Sequence, residues 1–218
     1  MASLRQQRYR PELRIDEAPA PQRLAPHAVA LSAEIPDPAD PEGGELATGR
    51  LVVLHDPDGV VSWEGTFRVV TFARAALESD LATDPLLPTV GWSWLEEALA
   101  AHDANTGALG GTVTRVTSEG FGSLADPGGL VTGQIEIRAS WTPLGEPDAL
   151  GRHIQAWADL IATAAGLVPA GVGITRAGAV RIFTGAPVPP GADAVVMQEA
   201  VLRRGDTICL TERPVPGQ

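Results

Sequence analysis

The residues best suited to chemistry lie in the string RIFTGAPVPPGADAVVMQE, Arg181 to Glu199. Thr184-Gly185-Ala186-Pro187 reads as a turn whose small residues let a ligand or another domain approach the backbone closely. The Thr184 hydroxyl can both donate and accept a hydrogen bond. Ala194 to Met197 suits a buried strand beside the turn. Thr184, Gly185, Ala186 and Pro187 are therefore candidate substrate-binding residues. The same four residues also suit a plain connection between two strands.

Elsewhere the sequence offers no clustered catalytic set and no metal site. The four histidines, His27, His55, His102 and His153, have no helical or hairpin metal spacing. The single cysteine, Cys209, can form no internal disulfide and reads as a small strand residue. Only Arg203 and Arg204 lie near it in sequence, and a reactive thiol needs such a cation or a base. There is no GxSxG elbow, no GKS or GKT phosphate loop and no GxGxxG fingerprint. GALGGTV, Gly107 to Val113, lacks the flanking strand and helix of a phosphate cradle and reads as a loop. Glu78, Asp84, Asp103 and Glu119 are acids whose spacing defines no pair. Four of the five tryptophans fall on core faces. Trp94 lies off its helix's core stripe and is the candidate exposed anchor for a partner.

Composition sets the frame for these residues. The chain carries a net charge of −11, and all 16 of its Lys-or-Arg cations are Arg. An acidic chain repels phosphate backbones, so nucleic acid is excluded as a partner class. The Arg cluster within the first 14 residues reads as a solvated tail or short helix. No apolar run reaches the roughly 20 residues of a membrane helix. The basic N-terminus has no hydrophobic stretch behind it, so no secretory signal is expected and the expected compartment is the cytoplasm.

Three segments are expected. They are a basic N-terminal segment (1–18), an α+β domain (19–169) and a short all-β fragment (170–218). Within the middle segment, His27 to Ile35 and Glu45 to His55 read as strands. Asp56-Pro57-Asp58-Gly59 predicts a hairpin centred on Asp58, with Val60 to Ala75 returning. Ser93 and Glu96 form a Ser-x-x-Glu capping box that would open a helix running to about His102, with Trp92, Leu95 and Leu99 inward. Val113 to Ser118 is a Thr-rich strand. Gln134 to Trp141 alternates strictly, with Ile135, Ile137, Ala139 and Trp141 on one face. Leu150, Ile154, Trp157 and Ile161 line one stripe of a second helix, which Asp148 can cap and Gly166 can stop. The fold class that follows is an antiparallel sheet covered on one face by two helices. From Ala170 onward, short strands are expected at Val180–Phe183, Ala194–Gln198 and Thr207–Leu210.

Two resemblances add to this reading. APQRLAPHAVAL (20–31), LATGRLVVLHDPDG (46–59), the stretch WEGTFRVVTFARAALESDLATDPLLPTVGWSWL (63–95), GTVTRV (111–116) and QIEIRASWTP (134–143) resemble an actinobacterial family of unknown function, number three thousand of its kind. The resemblance covers about residues 5–170 and implies no activity. GAVRIFTGAPVPPGADAVVMQEAV (178–201), followed by RRGD (203–206) and ERPVPGQ (212–218), resembles molybdopterin molybdenumtransferase, the MoeA family related to the gephyrin E-domain. That family inserts molybdenum from molybdate into adenylylated molybdopterin with a divalent metal, usually magnesium. By resemblance Thr184 lines its cleft. The family's Asp-Gly-Tyr-Ala segment is not in the sequence, nor is its large pterin-binding domain. The expectation is a truncated, fused segment, inactive alone, with no cofactor unless the resemblance holds functionally. Its expected partners are a molybdenum-cofactor protein or a second copy joined through the tail.

Overall fold

The computed structural model describes residues 9–40, 44–77, 79–124, 132–145, 149–167, 195–196, 201–204 and 207–210. Six antiparallel strands form one sheet in the order β1-β2-β3-β4-β6-β5. They are β1 (Arg14–Ala18), β2 (His27–Pro36), β3 (Glu45–Val60), β4 (Gly65–Leu77), β5 (Thr106–Ser118) and β6 (Thr132–Pro143). Between β4 and β5 lie α1 (Ser79–Thr83) and α2 (Leu87–Ala101), and α3 (Leu150–Ala164) follows β6. The fold is α+β, as the strand and helix patterns predict.

Strand periodicity sets odd and even residues on opposite faces across most of the sheet, although Ala30, Leu54 and Thr142 on the even side are buried too and the β5 irregularity inverts the numbering before Gly110. Leu51, Val69, Ala73, Ile135, Ile137 and Trp141 point to one face and are buried. All three helices lie against that face. A Cβ on Gly49 would meet Ile161 of α3, one on Gly91 of α2 would meet Ile135, and one on Gly133 would meet Ala82 of α1. The core is therefore the layer between odd-numbered strand residues and the helices. Trp157, Ile161, Leu160 and Leu95 complete it from the helix side. The even-numbered face carries Arg50, Phe72, Arg74, Arg138 and Ser140, and among the described residues no helix lies over it.

Several local expectations need correction. The hairpin does not turn at Asp58. Strand β3 runs on to Val60, which pairs with Gly65, and the chain reverses through a 3-10 turn at Val61–Trp63. Glu64 closes that turn in the left-handed region with φ 58°. Asp56-Pro57-Asp58-Gly59 is instead an irregularity within the strand. The Asp56 carboxylate accepts from the Asp58 amide at 3.1 Å, a local bond that turn-forming residues make in many contexts. Nor does Ser93 cap a helix. Helix α2 begins at Leu87 with Pro88 in its first turn, where a missing N–H costs nothing. The Ser93 hydroxyl donates to the Val90 carbonyl at 2.9 Å inside that helix.

Gly107 to Val113 is strand, not loop, with an irregular register between Gly107 and Gly110. Arg14, the last arginine of the N-terminal cluster, opens strand β1 (Arg14–Ala18), paired to β2, and is not part of a tail or short helix, while residues 1–8 lie outside the described residues. The β6 alternation holds as expected, and so does the α3 stripe at Ile154, Trp157 and Ile161. Gly166 takes φ 76° just past α3, which favours glycine.

The chain divides into two compact units, Met1–Ala165 and Gly166–Gln218. In the second, β7 (Val201–Arg204) and β8 (Thr207–Leu210) pair antiparallel, placing Leu202 opposite Cys209. The strand expected at Thr207–Leu210 is present. Those expected at Val180–Phe183 and across most of Ala194–Gln198 lie outside the described residues.

Candidate functional site

The open, even-numbered face is built in rows by the strand register. One row runs Ala30, Val52, Val70, Ser140, Gly110 across β2, β3, β4, β6 and β5. The next runs Ser32, Arg50, Phe72, Arg138, Thr112. Together they frame a depression of about 420 Å³ with Val52, Val70 and Phe72 as its floor. Gly110 extends that floor, because nothing lies within 4 Å of where a Cβ would stand. The Arg138 guanidinium lies over the Phe72 ring, 4.9 Å from its centroid. A cation over an aromatic face is attracted by the ring quadrupole.

Each arginine has a defined job. Arg50 donates one Nη2 bond to the Pro19 carbonyl at 2.5 Å. Arg138 pairs through Nη1 with Glu136 at 2.7 Å, two residues along the same strand face. Arg68 is consumed by structure. It donates to the Ala108 carbonyl at 3.0 Å, to the Thr142 hydroxyl at 3.2 Å and to the Ser140 hydroxyl at 2.6 Å. Burial lowers its pKa from the ordinary guanidinium value, and Glu64 opposes that shift. Thr142 in turn donates to the Trp63 carbonyl, tying the strand ends together.

The histidines, scattered in sequence, acquire partners through the register and the packing. His27 and His55 are cross-strand neighbours whose rings stack at 5.6 Å between centroids, and His55 stacks on Phe67 at 4.2 Å. His102, at the C-terminal end of α2, meets Asp159 of α3 at 2.7 Å. His153 is buried on α3, and its Nδ1 accepts from Trp141 Nε1 at 3.1 Å. That bond puts the neutral ring's proton on Nε2. Desolvation, helped by the charge of Arg152, pushes the His153 pKa down to about 4. Among the described residues, no group of three or more His, Cys, Asp or Glu side chains is placed to hold a metal ion.

The other sequence candidates fare differently. Trp94 is not an exposed anchor. It is 6% exposed and belongs to the core, because the inward stripe of α2 takes in positions 91, 94, 95 and 98. Asp84 is structural: its Oδ1 accepts from the Leu86 amide at 2.8 Å at the start of α2. Asp103 sits at a positive φ of 49° just after α2. Glu78 and the four turn residues Thr184, Gly185, Ala186 and Pro187 lie outside the described residues. No helix of the described residues is long and apolar enough to cross a membrane.

The architecture is thus a two-layer α+β unit with one helix-covered sheet face and one open, arginine-bearing face. Residues 1–173 match the model of a protein family of unknown function (DUF3000), and the chain belongs to that family. Residues 154–218 match the model of the MoeA N-terminal region (domain I and II). The two matches share residues 154–173, which include most of α3. No curated protein and no solved structure matches the chain.

Proposed function

We propose that this chain is linked to molybdenum cofactor assembly and works by binding a partner, not by inserting the metal itself. The observation that carries this reading is the match of residues 154–218 to the MoeA N-terminal region. The missing Asp-Gly-Tyr-Ala segment supports the non-catalytic part, since the resembled family takes a cleft acid from it. Under this reading the Thr184-Gly185-Ala186-Pro187 turn faces the partner or its pterin. The partner is a molybdenum-cofactor protein or a second copy engaged through the tail. Magnesium and molybdopterin enter only if the resemblance holds functionally. The described residues offer no ligand cluster suited to the metal, and no step is assigned to it. A cytoplasmic location goes with this role, and the single cysteine supports it.

Two measurements on the purified full chain test this. Incubated with magnesium, molybdate and adenylylated molybdopterin, it is expected to transfer no molybdenum above background. Measurable transfer would overturn the non-catalytic assignment. Calorimetric titration with molybdate and with a pterin is expected to give a binding signal for at least one. Silence with both removes the cofactor link.

That silence would favour a second reading, a binding or regulatory module of the unknown-function family. The family match over residues 1–173 and the compact unit Met1–Ala165 favour it specifically.

A further inference from the structure

We propose that the depression on the open sheet face is a binding site for a small organic anion with a flat apolar body. The inference rests on residues 50–140 alone and is independent of any role of the tail.

The donor inventory carries it. Every polar side chain turned into the depression, Arg50, Thr112, Arg138 and Ser140, can donate a hydrogen bond, and the two arginines can only donate. Arg50 and Arg138 flank Phe72 in one cross-strand row, whose one carboxylate, Asp16 on β1, lies beyond Ser32 and outside the lining of the depression. Each has spare donors, since a guanidinium carries five N–H groups and the bonds to Pro19 and Glu136 engage one terminal nitrogen apiece. Arg68 acts on the site indirectly. By donating to Ser140 Oγ at 2.6 Å it occupies an acceptor position and leaves the serine proton free to point at a ligand. Arg68 is a positioning residue.

The floor supplies the other half of the recognition. Val52, Val70 and Phe72 form an apolar surface, and Val70 remains 38% exposed although it lies mid-sheet. Gly110 leaves open the space that any side chain would fill. An apolar floor edged by cations and hydroxyls matches a planar body ending in a carboxylate, sulfonate or phosphate. A volume of about 420 Å³ suits a small molecule, whose sites run from about 300 to 1,000 Å³, better than a protein segment. The chain's net charge of −11 makes the selection of cations here unusual for its surface at large.

The test uses two fluorescent probes of one shape, 1-anilinonaphthalene-8-sulfonate and its uncharged parent N-phenyl-1-naphthylamine, titrated into the full chain. Saturable binding of the sulfonate at one site per chain is expected. Arg138→Gln and Arg50→Gln should each weaken it about tenfold while changing the uncharged probe's affinity less than twofold. Arg14→Gln removes a charge from the same face away from the depression and should change neither. Gly110→Leu should abolish both by filling the floor, with far-UV circular dichroism and a thermal melt showing that the fold persists.

Non-saturable sulfonate binding, or equal affinity across the two arginine variants, overturns the proposal. So does tighter competition by a glutamate- and tyrosine-rich peptide than by the sulfonate itself. That last result would mark a protein-docking face instead.

Discussion

The two faces of the one sheet share every strand yet have opposite fates. Along β6, Ile135, Ile137, Ala139 and Trp141 are buried under helices, while Glu136, Arg138 and Ser140 between them face outward. Backbone geometry is common to both sets, so the difference comes from what lies above them. On the covered face the selection is for volume. On the open face the register sets charged, hydroxyl and aromatic side chains side by side, and Arg138 over Phe72 exists only because two strands meet at that residue pair. A sheet covered on one side thus keeps its stability and its recognition chemistry on alternate residues. Changes at the buried odd positions should appear as lost stability, and changes at the even positions that line the depression chiefly as altered binding.

The largest expected effect comes from emptying the covered face. Trp157 has no exposed surface and packs, with Ile161, over Gly49 of β3. Trp157→Ala should cost about 3–5 kcal/mol, the range for deleting a buried aromatic. Urea denaturation followed by circular dichroism reads it directly. A loss below about 1 kcal/mol would mean that the helix layer does not hold the sheet as described.

His153 sharpens the comparison by adding pH. It lies on the covered side, bonded to Trp141, and its folded pKa of about 4 lies below the ordinary 6.5. The unfolded chain therefore binds the proton first. The stability that neutral His153 confers is fully present above pH 6.5. It is lost as pH falls from 6.5 toward 4, reaching about 2 kcal/mol by pH 5. Comparing wild type with His153→Gln isolates this from the carboxylates. The variant should start less stable at pH 7 and lose less between pH 7 and 5. Parallel curves for the two proteins would show that His153 is not the group responsible.

What the sequence disclosed follows the same division. The covered face was readable because burial imposes period: Ile135 to Trp141 alternates, and Ile154, Trp157 and Ile161 recur at helical spacing. Turn chemistry was less binding. Asp56-Pro57-Asp58-Gly59 satisfies a hairpin turn and an in-strand irregularity equally well, and the register of β3 with β4 chose the latter. Ser93 matched a capping box three residues from Glu96, but Pro88 serves the first turn of α2 better. The inward stripe of α2 is wider than Trp92, Leu95 and Leu99 suggest, and it takes in Trp94 with Gly91 and Ala98. The open-face site left no local trace at all. Its residues come from four strands spread between positions 50 and 140, and no spacing along the chain announces that Arg50, Phe72 and Arg138 share a row. The Thr184–Pro187 turn is the reverse case, conspicuous in sequence but outside the described residues.

The smallest expected effect is also the most discriminating, because it sets two adjacent residues against each other. Gly110 and Gly111 are consecutive on β5, so their missing side chains point to opposite faces. A Cβ on Gly111 would lie 2.2 Å from the Arg138 carbonyl oxygen and 2.8 Å from the Ala139 Cα, both backbone atoms that cannot swing aside. It would also lie 2.9 Å from Cζ3 of Trp92. Gly111→Ala should therefore cost about 1–3 kcal/mol, the range for forced overpacking. A Cβ on Gly110 would meet nothing within 4 Å, and the residue has no positive φ to strain. Gly110→Ala should be neutral or stabilise by up to about 1 kcal/mol through the entropy of the unfolded chain. Denaturation midpoints of the two single variants, measured side by side, give the contrast without any assumption about the ligand. If Gly110→Ala proved as costly as Gly111→Ala, both residues would be packed. The open face would then be covered by something, and its reading as an exposed recognition surface would fail with it.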